Sequence, residues 1–265
     1  MKGAIIGDIV GSVYEWHNIK TKEFELLPDS CFFTDDTVMT VAVGVGLMNA
    51  FERNGDIEEF LTDALHDYGN RYPGRGYGGH FRHWLQSSDP RPYNSLGNGA
   101  PMRCSPAGWL ASTPEKAFEL GMYTAGPTHN HPSGMKAAGV TAMLICMARR
   151  GAGMEELRDN AAKWYPLPAL DELRPDYSFD VTCDGTMPAA LSAFFESTGF
   201  EDAIRNAISV GGDSDTIAAI TGSLAEAYYG VPEELWRRAE TFLTDELREN
   251  VGAFRAFAEK AAVES

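Results

Sequence analysis

Residues 34–51 read TDDTVMTVAVGVGLMNAF, and this stretch decides the fold class. Asp and Thr side chains satisfy the free N–H groups of a first helical turn, and carboxylates there complement the helix dipole. From Thr37 to Phe51 the run is apolar and rich in small residues, so it predicts a helix opening just after Asp36. Comparable runs follow at Ile57–Tyr68, Pro114–Thr124, Ser133–Arg150, Met187–Ser197, Phe200–Ser209, Thr216–Tyr229, Pro232–Thr241 and Glu246–Val263. Pro114 and Pro232 sit where a first turn accepts proline. Two-residue alternation is nearly absent, with one strand candidate at Tyr177–Thr182. Glycines collect in the connections Gly69–Gly79, Asp89–Gly108 and Gly211–Gly212. No fixed-period repeat, Ser/Pro-rich tract or single-charge block divides the chain, so one compact all-α domain over residues 1–265 is expected.

Composition excludes several function classes. A net charge of −16 with no Lys/Arg block repels a phosphate backbone, which argues against a nucleic-acid partner and mildly favours a cationic one. Cys31, Cys104, Cys146 and Cys183 stand far apart, with no C-x-x-C pair and no Cys/His cluster at zinc spacing. Four reduced thiols are expected rather than a disulfide framework. Asp8 interrupts the N-terminus before any signal-peptide core, and the longest apolar stretch, Gly139–Ala148, falls short of the ~20 residues a membrane helix needs. A cytoplasmic protein without membrane association is expected, monomeric by default because no heptad seam is sustained.

Two helix entrances carry more acid than capping requires: Thr34-Asp35-Asp36-Thr37 and Gly211-Gly212-Asp213-Ser214-Asp215-Thr216. One capping residue serves one helix. Two carboxylates plus a hydroxyl at each entrance repel one another unless a cation lies among them. Carboxylate and hydroxyl oxygens without thiolate or imidazole suit a hard ion such as Mg²⁺ or Mn²⁺. If the entrances face each other, four carboxylates can hold two such ions roughly 3.5–4 Å apart. A second constellation, Asn94-Ser95-Leu96-Gly97-Asn98-Gly99-Ala100-Pro101-Met102-Arg103, has small residues that let backbone N–H groups approach an anion, although a tight surface loop has the same composition.

Taken together, Phe33-Thr34-Asp35-Asp36-Thr37, Gly211–Thr216 and the Ser95–Arg103 loop resemble the ADP-ribosylglycohydrolase family, and the resemblance runs from Gly3-Ala4-Ile5-Ile6-Gly7-Asp8 to Tyr229-Gly230. It implies an all-α orthogonal helix bundle and a dinuclear centre of two divalent cations, Mg²⁺ or Mn²⁺, with Thr34, Asp35, Asp36, Asp213, Asp215 and Thr216 as ligands. It also implies that Ser95, Gly97, Asn98 and Gly99 hold ADP-ribose, with His129 of Thr128-His129 lining the same pocket as a neutral ring. Glu15, which ends a segment similar to the family's Gly-Asp-x-x-Gly-x-x-x-Glu, becomes the remaining catalytic candidate beside Asp36 and Asp213. The implied substrate is an ADP-ribosylated protein or an ADP-ribosyl small molecule, with arginine the slightly favoured acceptor. Leu96 stands where several relatives carry an aromatic that stacks on adenine, leaving Tyr93 as a substitute. No acidic residue occurs between Asp67 and Asp89, where some members place one. These two departures keep open a dinuclear-metal hydrolase of another nucleotide, glycoside or O-acyl-ADP-ribose; a non-catalytic ADP-ribose binder is a second alternative, against which the full set of four carboxylates argues. Asp8 is expected to support the fold, His131 to cap a helix or face solvent, and Arg103 to anchor its loop or pair with a buried carboxylate.

Overall fold

The computed structural model describes residues 1–264. Its helices are α1 (Lys2–Gly11), α2 (Asp35–Arg53), α3 (Ile57–Arg71), α4 (Gly79–Leu85), α5 (Ser105–Leu110), α6 (Pro114–Ala125) and α7 (Pro132–Arg149). They continue with α8 (Met154–Ala162), α9 (Leu170–Leu173), α10 (Cys183–Phe195), α11 (Phe200–Val210), α12 (Ser214–Tyr229), α13 (Glu233–Ala239) and α14 (Asp245–Glu264). Among the described residues there is no strand; a single antiparallel bridge joins Gly97 to Thr182. The candidate strand at Tyr177–Thr182 is therefore corrected to a loop whose end touches the Gly97 loop before α10 begins. The Asp89–Gly108 connection likewise ends in a short 3₁₀ turn, Pro101–Arg103, and α5, whose six residues are too few to show a period. Helices α8 and α9 also lie outside the expected set, both short.

The interior is organised by α12, which is buried without interruption from Ser214 to Ala225. A helix that is apolar on every side has no solvent face to offer and becomes the centre of the domain. Against it lies α1, buried from Gly3 to Gly11. Their backbones meet directly: a Cβ on Gly7 would lie 2.0 Å from the Ala218 carbonyl oxygen, and one on Gly11 would lie 2.3 Å from the Asp215 Cα. This close approach holds the C-terminal end of α1 beside the N-terminal end of α12, where Asp8, Glu15 and Asp215 sit. Helices α10 and α11 flank α12 and α2 carries α3, while α6 packs on α7. One continuous apolar cluster runs through all of them. The small-residue face of α7 belongs to it, with Ala137, Ala138, Val140 and Ala142 fully buried. All four cysteines are buried and unpaired. No described helix is long and apolar enough to cross a membrane.

Candidate active site

The entrances of α2 and α12 face each other across a cleft of about 420 Å³. At the first entrance Thr34 is the N-cap of α2, its hydroxyl accepting from the Asp36 N–H at 3.3 Å. Asp8, reaching up from α1, completes that cap: its carboxylate accepts from the Thr34 N–H at 2.9 Å, the Thr37 N–H at 3.1 Å and the Thr34 hydroxyl at 2.6 Å. With these two residues serving the helix end, Asp35 and Asp36 are released from capping. Asp36 accepts from the Thr216 hydroxyl at 3.2 Å with one oxygen, and its other oxygen is buried without a partner.

The second entrance behaves in the same way. Asp213 occupies the N-cap position of α12 but makes no capping hydrogen bond. Its carboxylate instead accepts from the Asn98 amide at 2.7 Å, which also donates to the Thr186 hydroxyl at 3.1 Å. Asp56, by contrast, caps α3 in the ordinary way, accepting from the Glu59 N–H at 3.0 Å. The capping explanation is therefore right for Asp56 and fails for Asp213.

Two groups of carboxylate oxygens fall within 4.8 Å of one another: Asp8, Asp36 and Asp215, and Glu15, Asp213 and Asp215. Asp215 belongs to both and joins them. Asp35 lines the cleft without entering either group, Thr216 lines it beside Asp215, and Thr34 stays beneath as the cap. Among the described residues no Lys or Arg forms an ion pair with any of these carboxylates. Burial, followed by repulsion from Asp215 and then Asp8, holds Asp35 and Asp36 well above the ordinary carboxylate range. Burial with repulsion from Asp213 and Asp8 does the same to Asp215. Asp213 is pushed up to about 6 by burial, against the Asn98 hydrogen bond, and Glu15 to about 7 by burial and then by Asp215. A buried cluster of like charges and an orphaned carboxylate oxygen are the features a hard cation would resolve, so the donor set fits divalent ions.

Glu15 follows α1 on a short loop held by Asn18. The Asn18 amide donates to the Glu15 carbonyl at 2.9 Å and the Gly212 carbonyl at 2.9 Å, and its oxygen accepts from the Gly212 N–H at 2.7 Å. Neighbouring Trp16 is 73% exposed and stacks on Phe179 with centroids 5.2 Å apart. Both line the cleft.

The remaining wall is the Ser95–Arg103 loop. Ser95, Gly97, Asn98, Gly99 and His129 all line the cleft, as does Tyr93, whose ring lies 6.2 Å from His129. Leu96 faces outward, 43% exposed. His129 is buried, and burial followed by the charge of Arg103 holds its imidazole well below the ordinary histidine range. His131 caps α7, its Nδ1 accepting from the Ser133 N–H at 3.1 Å. Arg103 pairs with no carboxylate; it donates to the Thr124 carbonyl and the Thr128 hydroxyl. Asp8 entered the carboxylate group although its sequence context indicated only support of the fold. A charged residue inside the otherwise apolar α1 is the signal that marks it.

The family model described as ADP-ribosylglycohydrolase matches residues 1–263. The chain belongs to the ADP-ribosylglycohydrolase family, and so to the hydrolases that act on ADP-ribosyl glycosidic bonds. The ADP-ribosyl-[dinitrogen reductase] glycohydrolase of Rhodospirillum rubrum is 30% identical over 246 residues, covering 85% of this chain and 79% of that protein. The ADP-ribosylhydrolase ARH3 of Mus musculus is 24% identical, covering 91% of this chain and 86% of its own length. The ADP-ribosylarginine hydrolase Tri1 of Pseudomonas putida (strain GB-1) is 28% identical over 56% of this chain and 42% of its own. A solved structure described as an ADP-ribosylglycohydrolase-related protein complex superposes with a TM-score of 0.72 at 26% identity, covering 98% of this chain and 95% of that one.

Proposed function

We propose that the chain releases ADP-ribose from an acceptor with the help of two divalent cations, Mg²⁺ or Mn²⁺, with an arginine-linked substrate favoured. The observation that carries the reading is Asp215, whose carboxylate belongs at once to the group with Asp8 and Asp36 and to the group with Glu15 and Asp213. Asp35, Asp36, Asp213 and Asp215, flanked by the Thr34 and Thr216 hydroxyls, would hold the cations. Bound there, the cations supply positive charge that stabilises charge developing around the scissile bond.

The side chains do the rest. Asn98 holds Asp213 in the cleft instead of on the helix end. Glu15, whose carboxyl is pushed up to about 7 by burial and then by Asp215, takes or positions the proton of an attacking water. The small residues Gly97 and Gly99 let backbone approach the pyrophosphate, while Ser95 and His129 bind polar oxygens of the nucleotide. The Trp16–Phe179 stack lines the cleft beside Glu15. An exposed aromatic face next to a carboxylate is the surface a flat cation recognises.

The test is release of free ADP-ribose from arginine- and serine-linked protein with Mg²⁺, Mn²⁺ or EDTA. Release from either with metal, lost in EDTA, is the expected result; metal-independent release, or none at all, overturns the reading. Trp16→Ala is expected to lower kcat/KM for the arginine-linked substrate by about five- to thirtyfold, the worth of one cation–π contact, with ADP-ribose affinity unchanged. An equal loss on serine-linked substrate would remove the argument for arginine.

A further inference from the structure

One wall of the cleft contains a charge without a counter-charge. Arg103 is 1% exposed and is the largest fully buried side chain among the described residues. Its Nη2 donates to the Thr124 carbonyl at 3.1 Å and to the Thr128 hydroxyl at 2.8 Å, and its Nε has no partner. Burying a guanidinium without an anion is costly, and an apolar side chain of similar volume would fill the space at lower cost. The contacts of Thr128 show what the arginine does there.

The Thr128 hydroxyl lies 2.7 Å from His129 Nδ1. A hydroxyl has one proton to give and two lone pairs to accept with. Arg103 can only donate, so it takes one lone pair. Were Nδ1 protonated it would take the other, and the Thr128 proton would be left buried with no further acceptor among the described residues. That arrangement leaves a buried donor unmade. The hydroxyl must therefore donate to Nδ1, which puts the single proton of the neutral ring on Nε2. Nε2 faces the glycine loop: a Cβ on Gly99 would come within 3.0 Å of it, and one on Gly97 within 3.5 Å.

We infer that Arg103, acting through Thr128, is a positioning residue that holds His129 as a fixed Nε2–H donor, aimed across the Gly97–Gly99 loop at an acceptor oxygen of the bound nucleotide. Towards the ligand His129 is then a donor and not a cation, and the ligand atom opposite it must be a hydrogen-bond acceptor rather than an N–H group. The identity of that ligand rests on the ADP-ribose reading; the tautomer does not.

The experiment is long-range ¹H–¹⁵N NMR on protein labelled at its six histidines, with His129 assigned by the signal that His129→Gln removes. The ligand-free protein is expected to show His129 in the Nε2–H form alone. Arg103→Ala is too deeply buried to be a safe probe, so Thr128→Val, which deletes the hydroxyl at nearly constant volume, carries the test. It is expected to produce a mixture of both tautomers and to weaken ADP-ribose binding by about five- to tenfold, and Thr128→Ser is expected to restore both. A protonated Nδ1 in the wild-type chain, or an unchanged tautomer in Thr128→Val, overturns the inference. An Nε2–H tautomer lost in Thr128→Val, in a protein that binds no ADP-ribose, supports the role of Arg103 and removes the functional reading instead.

Discussion

Asp215→Ala should lower the rate of ADP-ribose release by at least about a thousandfold, or about 4 kcal/mol of transition-state stabilisation. Asp215 is the choice because its carboxylate belongs to both acidic groups, so its loss weakens both ends of the cluster. The same site predicts an opposite effect on stability. Without a cation the carboxyls of Asp35, Asp36, Asp213 and Asp215 are all raised by burial. A group whose folded value lies above its unfolded one destabilises the fold at every pH above the unfolded value, and the cost fades as pH falls through the folded one. In EDTA, wild-type protein should therefore gain stability between about pH 8 and pH 5, as Asp213 near 6 and Glu15 near 7 take up protons. Asp215→Asn in EDTA at pH 8 should melt above wild type, and added Mg²⁺ or Mn²⁺ should reverse the order. Thermal melts of the two proteins with and without metal decide it. A variant that melts below wild type in EDTA would mean that the carboxylate cluster is not under electrostatic strain.

Gly7→Ala should cost about 2–3 kcal/mol net, after the ~1 kcal/mol that alanine gains over glycine in a helix. The added methyl would meet only backbone: the Ala218 oxygen at 2.0 Å, the Ala218 carbon at 2.3 Å and the Ala219 nitrogen at 2.6 Å. No side chain can turn aside, so α1 must move away from α12. The melting temperature should fall by about 5–10 °C. Activity should fall further than stability does, because the same shift carries Asp8 and Glu15 away from Asp213 and Asp215. Gly252→Ala is the control: it lies on the exposed side of α14 with nothing within 4 Å, and should be neutral or stabilising by up to about 1 kcal/mol. Equal melting temperatures for Gly7→Ala and wild type would refute the close approach of the two helices.

How much of the fold and site is legible in the sequence differs by element. Long apolar runs announced themselves: Ile57–Tyr68 became α3, and Thr216–Tyr229 lies within α12. Short helices did not, because the six residues of α5 and the four of α9 hold too little periodicity to separate from a loop. Capping was half legible. Asp213 and Asp56 both precede a helix and look alike in sequence, yet only Asp56 bonds its own helix end. What diverts Asp213 is the Asn98 amide, 115 residues away. Arg103 shows the same limit: its loop placed it near the cleft, but a threonine rather than a carboxylate is its partner.

The all-α class, the acidic character of both helix entrances and the family are legible in the chain itself, since they follow from local composition and from motifs along it. The folded chain alone reveals that Asp8 joins the carboxylates, that Asp215 links the two groups and that Arg103 reaches the Thr128 hydroxyl beside His129. The physical reason is distance along the chain. A carboxylate acquires its partners and its proton affinity from whatever the fold brings within a few ångströms, and here that depends on a backbone contact between α1 and α12, far apart in the sequence.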